Sequence, residues 1–294
     1  MSKSNFSAFT SDDKATSESL HAHVIRLSRD IGWRGIQQFD NLENAVQYIT
    51  GYLEQLGYQV QWQRIAVQGR TVKNIIAQKT GVKYPEKIIT IGAHYDSYFG
   101  PGADANAGGV ASLLELARIF ADQQANATIH FVAFVNTAPP FFGGEDMGSV
   151  RYLKEIRQLG LKLSATIILD SLGYYTNDQN SQKYPPIFGF FLPNQGNFIG
   201  IIGNLKSLNL LRVVEPIMKK NLSLPVQAVV GFDFINSDHW VFWKEEFEAI
   251  LITDTGPYRN PHYNRLSDTF QTLNYVNMAQ VVRGLAGVIR TLAY

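Results

Sequence analysis

Residues 87–122 read KIITIGAHYDSYFGPGADANAGGVASLLELARIFAD. The apolar, β-branched run from Ile88 to Ile91 predicts a short buried strand. It breaks into Gly92-Ala93-His94-Tyr95-Asp96, a loop that sets an imidazole and a carboxylate two residues apart. A segment rich in Gly, Pro, Asn and Asp follows from Phe99 to Gly109, and the spacing Val110, Leu113, Leu114, Leu116, Ala117, Phe120 then predicts an amphipathic helix. Strand, polar loop, helix is the arrangement by which α/β folds offer side chains to a ligand.

On the N-terminal side, residues 1–10 read as a loose arm. Leu20, Val24, Leu27 and Ile31 form one stripe of a helix from Asp12 to Ile31, with Ser11, Asp12 and Asp13 available to cap it. His21 and His23 lie on this helix and are expected on its solvated surface. A second helix is expected from Leu42 to Leu56, stopping at Gly57. Tyr58–Ala66 and Thr71–Gln78 then alternate like paired strands around a turn at Gln68-Gly69-Arg70.

On the C-terminal side, Thr128–Val135 predicts a second buried strand, with His130 as a hydrogen-bonded strand histidine, and Asn136–Gly144 a loop. A helix follows over Asp146–Ile156, and a third strand, Ala165–Leu169, ends at Asp170. Residues 187–234 are less regular: the aromatics of FGFFLPNQGNF (188–198) are expected in the core, Ile199–Leu205 as a helix, and Leu224–Val230 is apolar. A short helix at Ser237–Trp243, a strand at Ala249–Ile252, a loop over 254–268 and a closing helix from Tyr275 to Leu292 complete the chain. Strands separated by helices imply one α/β domain over 1–294, a three-layer αβα sandwich around a mixed, mainly parallel sheet.

With 294 residues and 45% apolar composition the chain can bury a large core. Lys and Arg total 26 against 25 Asp and Glu, so no long-range field draws nucleic acid or an anionic membrane. The absence of cysteine excludes disulfides, thiolate zinc sites and cysteine nucleophiles. The N-terminus has no apolar leader and no run approaches the ~20 apolar residues of a membrane span, so a soluble, cytoplasmic protein is expected.

His94-x-Asp96 followed by a G-A-x-x-N-x-x-G loop that opens a helix resembles the core of the two-zinc aminopeptidase family. That family also holds glutamate carboxypeptidases, glutaminyl cyclases and the peptidase-like domain of the transferrin receptor. FVAFVN, PPFFGGEDMGS, IILDSLGYY, NSDHWVFW and DTGPYRNPHYNRLSDT follow in the matching order, so the resemblance covers nearly the whole chain after the first helix. It implies a zinc-exopeptidase-like fold and two zinc ions held by a bridging Asp, a Glu, an Asp and two His, with an unligated Glu as general base.

This chain departs from that pattern at the donor atoms. His94 matches the first ligand, Asp96 the carboxylate that orients it, and Asp170 the acid after the third strand. The bridging position falls on Ala105, with Asp104 adjacent. The Glu-Glu pair falls on Thr137, at the base position, and Ala138, at a ligand position; the last His falls on Asn264. Thr at neutral pH takes no proton from bound water, and Ala offers no ligand atom. Glu145, just downstream, reads as a capping or surface residue.

The expected function is therefore a catalytically inactive pseudopeptidase with a binding or regulatory role, without cofactor and with at most one weak divalent metal. Asp96, Asn106, Pro139 to Phe142, Asp238, His239, His262 and Tyr263 would support or line the vestigial cleft, together with Tyr95, Ser237 and Arg259. A peptide or protein would be its ligand. The alternative is a residual hydrolase with one metal on His94, Asp170 and Asp104.

Overall fold

The computed structural model describes residues 10–185, 192–231 and 235–294. The arm at 1–9 and the aromatics Phe188, Phe190 and Phe191 lie outside the described residues. Phe198, from the same aromatic stretch, is buried as expected.

Among the described residues, eight strands form one mixed sheet: β1 (Gln59–Val67), β2 (Arg70–Lys79), β3 (Tyr84–His94), β4 (Ala127–Phe134), β5 (Lys162–Leu169), β6 (Ile199–Gly203), β7 (Val226–Val230) and β8 (Ala249–Thr253). Their order is β1-β2-β4-β3-β5-β8-β6-β7. The central β4, β3, β5 and β8 run parallel, as do β6 and β7; β1 with β2, β2 with β4, and β6 with β8 pair antiparallel. Gln68 and Gly69, both at positive φ, make the two-residue turn between β1 and β2. Two successive left-handed residues match the twist of a hairpin.

Helices cover both faces: α1 (Ser11–Val24), α2 (Phe39–Gln55), α3 (Gly108–Phe120), α4 (Gly148–Gln158), α5 (Leu208–Asn221), α6 (His239–Lys244) and α7 (Tyr275–Ala293). Alternation along the strands decides which core a residue joins. Ile89, Ile91 and Ala93 of β3, with Ile129, Phe131 and Ala133 of β4, pack under α1, α2, α3, α5 and α7. Ile88, Val132, Phe134, Ile168 and Leu251 face the other way, onto Tyr152, Leu153 and Ile156 of α4 and Val241 and Phe242 of α6. A sheet buried on both faces explains the nearly continuous apolar strands of the sequence.

Four local expectations change. Ile199–Gly203 is strand β6, not a helix: five buried residues, two of them glycines, suit the crowded seam beside β8, where a Cβ on Gly200 would lie 3.1 Å from the Thr253 carbonyl oxygen. Residues 208–221 form α5, whose buried Leu210, Leu211, Val214 and Met218 keep helical spacing around Pro216. The first helix ends at Val24 and widens into π turns over Ile25–Ile31, and Thr10 rather than Ser11 caps it, in a reciprocal pair with Asp13.

The fourth concerns His23, which is buried rather than solvated; its Nδ1 lies 2.6 Å from the Tyr48 hydroxyl and its Nε2 3.6 Å from Glu115. The carboxylate it faces is the centre of a polar knot between α1 and α3. Ser19 donates to Glu115 at 2.7 Å and Arg118 donates two bonds at 2.9 and 3.0 Å. Burial pushes the Glu115 carboxyl up, but the bonds from His23, Arg118 and Ser19 and the Arg118 charge outweigh it and hold the pKa at about 2. Because the folded value is depressed, this stabilisation is present above the ordinary Glu value and is lost as pH falls from about 4.5 towards 2. Urea titrations across that window should show a loss on the order of 3 kcal/mol. Glu115→Gln should flatten that acid limb; an unchanged limb would mean that Glu115 does not set it.

Candidate functional site

The parallel run β4-β3-β5-β8 brings the carboxyl ends of four strands to one edge of the sheet. His94 ends β3, residues 135–138 follow β4, Asp170 follows β5 and Asp254 follows β8. Residues far apart in sequence therefore meet at this edge.

His94 and Asp170 are both buried, with Nε2 and Oδ2 3.5 Å apart. The other ring nitrogen, Nδ1, lies 3.0 Å from the Asp96 carbonyl oxygen and 3.4 Å from its carboxylate. Burial alone would depress His94, but Asp170 and Asp96 outweigh it and raise its pKa well above 6.5. Burial would raise Asp170, and the His94 charge and side-chain hydrogen bonds bring it below the usual carboxylate range. Each group thus favours the charged form of the other, an imidazolium facing a carboxylate.

Asp96 does a second job: its carboxylate accepts the backbone N–H groups of Thr137 at 3.3 Å and Ala138 at 2.9 Å, pinning the loop after β4. The Thr137 hydroxyl donates to Asp238, 2.9 and 3.0 Å from its two oxygens. Burial pushes Asp238 up to about 6, against the lowering influence of His94 and of hydrogen bonds from Ser149 and Thr137. No sequence signal joins Thr137 to Asp238 across 101 residues.

His94, Ala105, Thr137, Ala138, Tyr263 and Asn264 line one cleft of about 500 Å³, with Tyr98, Pro139, Phe142 and Asn236 among the other walls. The four altered positions of the sequence mapping, Ala105, Thr137, Ala138 and Asn264, therefore face the same space as the retained His94. Among the described residues, no three His, Cys, Asp or Glu side chains are grouped to hold a metal ion.

Asp104 does not join them. It is buried, accepts from the Gly173 N–H at 2.9 Å and from the Asn260 amide at 2.7 Å, and burial together with Asp254 and Asp268 pushes its pKa well above the usual range. Asp268 accepts the backbone N–H groups of Asp104 and Ala105, fixing the loop that carries the bridging position. Asp254 and Asp268 lie in the DTGPYRNPHYNRLSDT segment but were given no role there, and the fold reveals them as buried carboxyl groups behind this loop. Asn106 ties the start of α3 to the end of β5, donating to the Leu169 carbonyl and accepting from Gly109 and Ser171.

Several expected pocket residues play supporting parts instead. Tyr95 is fully buried and donates to the Lys73 carbonyl at 2.7 Å. Arg259 is buried against Phe198 and donates to Gln182 and the Phe198 carbonyl. His239 is buried edge-on to Trp243 at 4.5 Å, Ser237 is buried, and His262 sits beside Ser267 and Tyr174. Glu145 is exposed, as expected of a surface residue.

The residues present do not fit a pair of zinc ions. Two methyl groups and an amide occupy the cleft positions to which the resemblance maps metal donors, a hydroxyl bonded to Asp238 occupies that of the base, and the remaining imidazole and carboxylate are paired with each other.

Residues 74–289 match the family described as Peptidase family M28. The uncharacterized protein YfbL of Escherichia coli (strain K12) is 35% identical over 287 residues, covering 92% of this chain and 87% of that protein. In fold the chain is similar to the LapA aminopeptidase of Legionella pneumophila, with TM-score 0.74 at 16% identity over 100% of this chain and 78% of the other. It is likewise similar to BSAP, a zinc aminopeptidase from Bacillus subtilis, with TM-score 0.74 at 13% identity over 94% and 95% of the two chains.

Proposed function

This chain belongs to peptidase family M28, and from that premise we propose that its cleft binds a peptide or protein segment without hydrolysing it. One observation carries the reading: Ala105, Thr137, Ala138 and Asn264 stand around the same cleft as His94, at the positions where the two-zinc chemistry requires donors and a base. Neither a base nor a nucleophile remains there, since the Thr137 hydroxyl is committed to Asp238 and His94 to Asp170. Hydrolysis through one metal would need Asp104 beside His94, and both carboxylate oxygens of Asp104 are engaged elsewhere.

Tyr98, Pro139, Phe142 and Tyr258 give the cleft an apolar contact surface and Asn236 and Asn264 give it hydrogen-bonding groups, which supports a peptide ligand. Protein purified without chelator should release no chromophore from aminoacyl nitroanilides when zinc, cobalt or manganese is added. Its zinc content should match that of His94→Ala. Release that a chelator abolishes and added metal restores, or stoichiometric zinc lost with His94, would overturn the proposal.

A further inference from the structure

A second pocket of about 380 Å³ lies between α4 and α6, on the face of the sheet opposite α1, α2 and α3. It is independent of whether the cleft hydrolyses anything. Val150, Leu153, Lys154, Arg157 and Gln158 recur at i, i+3, i+4, i+7 and i+8 of α4, so one helical stripe forms a wall that is apolar in its first turn and cationic beyond. Trp240, Val241 and Lys244 of α6, with Glu245 just after it, form the opposite wall. Gly143, at positive φ, lets the backbone run close to Trp240, where an added Cβ would lie 3.6 Å from the indole.

The rim carries three cations, Lys154, Arg157 and Lys244, against two carboxylates, Glu145 and Glu245. Arg157 and Glu245 neutralise each other in an ion pair. Lys244 sits over the Trp240 ring, 5.0 Å from its centroid, and Lys154 has no ion-pair or hydrogen-bond partner among the described residues. With Arg157 and Glu245 paired, Lys154 and Lys244 outnumber the single carboxylate of Glu145, and an apolar floor under a rim that stays net positive suits a ligand that is oily at one end and anionic at the other.

We propose that this pocket binds a medium-chain carboxylate, its alkyl chain over Val150, Leu153 and Trp240 and its head group at Lys154 and Lys244. Isothermal titration of the full chain with hexanoate, octanoate and decanoate tests this. Affinity should rise about fourfold for each added methylene buried, and saturating decanoate should raise the melting temperature. Nonyltrimethylammonium, with the same nine-carbon chain and the opposite charge, should bind at least tenfold more weakly than decanoate. Lys154→Glu with Lys244→Glu, both at exposed positions, should weaken decanoate at least tenfold without changing the melting temperature of the free protein. Val150→Trp, which fills the half-buried mouth, should abolish binding. No binding of decanoate, equal affinity for the ammonium compound, or indifference to the double substitution would each overturn the assignment.

Discussion

Ala105→Asp, Thr137→Glu, Ala138→Glu and Asn264→His, introduced together, should produce a protein that takes up about two zinc ions per chain and gains chelator-sensitive aminopeptidase activity. A rise of at least about a hundredfold over the natural chain is expected, the low end of what a positioned general base contributes. The side chains are missing, but the backbone that would carry them is held: Asp268 binds the Ala105 N–H, and Asp96 binds the N–H groups of Thr137 and Ala138.

Electrostatics supplies a readout besides activity. Three new carboxylates beside Asp170 in one cleft repel each other without cations, so the metal-free variant should melt roughly 5 °C below the natural protein and recover when zinc is added. Metal analysis after dialysis and paired melting curves check both statements. A folded variant that binds no zinc would show that the position-by-position mapping is wrong.

Arg34→Met should be among the most destabilising single substitutions in the chain. Arg34 is fully buried, and its guanidinium donates to the carbonyls of Tyr95, Leu27, Gly32, Pro101 and Gly102 at 2.7 to 3.0 Å. One side chain thus clamps the turns after α1 to the loop that follows His94. Burial lowers its pKa to about 10, against the raising influence of Asp96 and Asp268, so it remains charged. Methionine fills much of the volume but leaves the five carbonyls without their donors and removes the positive charge felt by Asp96 and Asp268. A loss of about 4 kcal/mol or more in urea unfolding is expected. Arg34→Lys should recover only part of it, because an ammonium has three donors and lacks the planar fork. A loss under about 1 kcal/mol would show that water replaces these bonds freely.

The elements legible from sequence were those whose neighbours in the chain decide their conformation. The strand, loop and helix of residues 87–122 carry their own periodicity, and the Gln68-Gly69 turn its own chemistry. Ile199–Gly203 was misread because a five-residue apolar run with two glycines has too little length to separate helix from strand, and its pairing with β8 settled the matter. Within the stretch read only as less regular, α5 forms around Pro216 because its packed stripe outweighs the proline.

In the site, His94, Ala105, Thr137, Ala138 and Asn264 could be placed by motif, and they meet in one cleft. The partners that organise them were invisible. Thr137 finds Asp238, His23 finds Glu115, and Asp104 turns towards Asp254, Asp268 and Asn260 across distances that no local pattern encodes. The expectation of Asp104 as a ligand failed because its neighbours in space, not its neighbours in sequence, decide where its oxygens point.

Ala105, Thr137, Ala138 and Asn264 belong to neither of the two apolar cores. The positions that two-zinc chemistry would use sit at the rim of a sheet whose two interior clusters do not include them. Such a layout makes reactivity a removable attachment: a lineage can discard it, or an engineer can graft a different chemistry in its place, while the chassis beneath continues to fold unaltered.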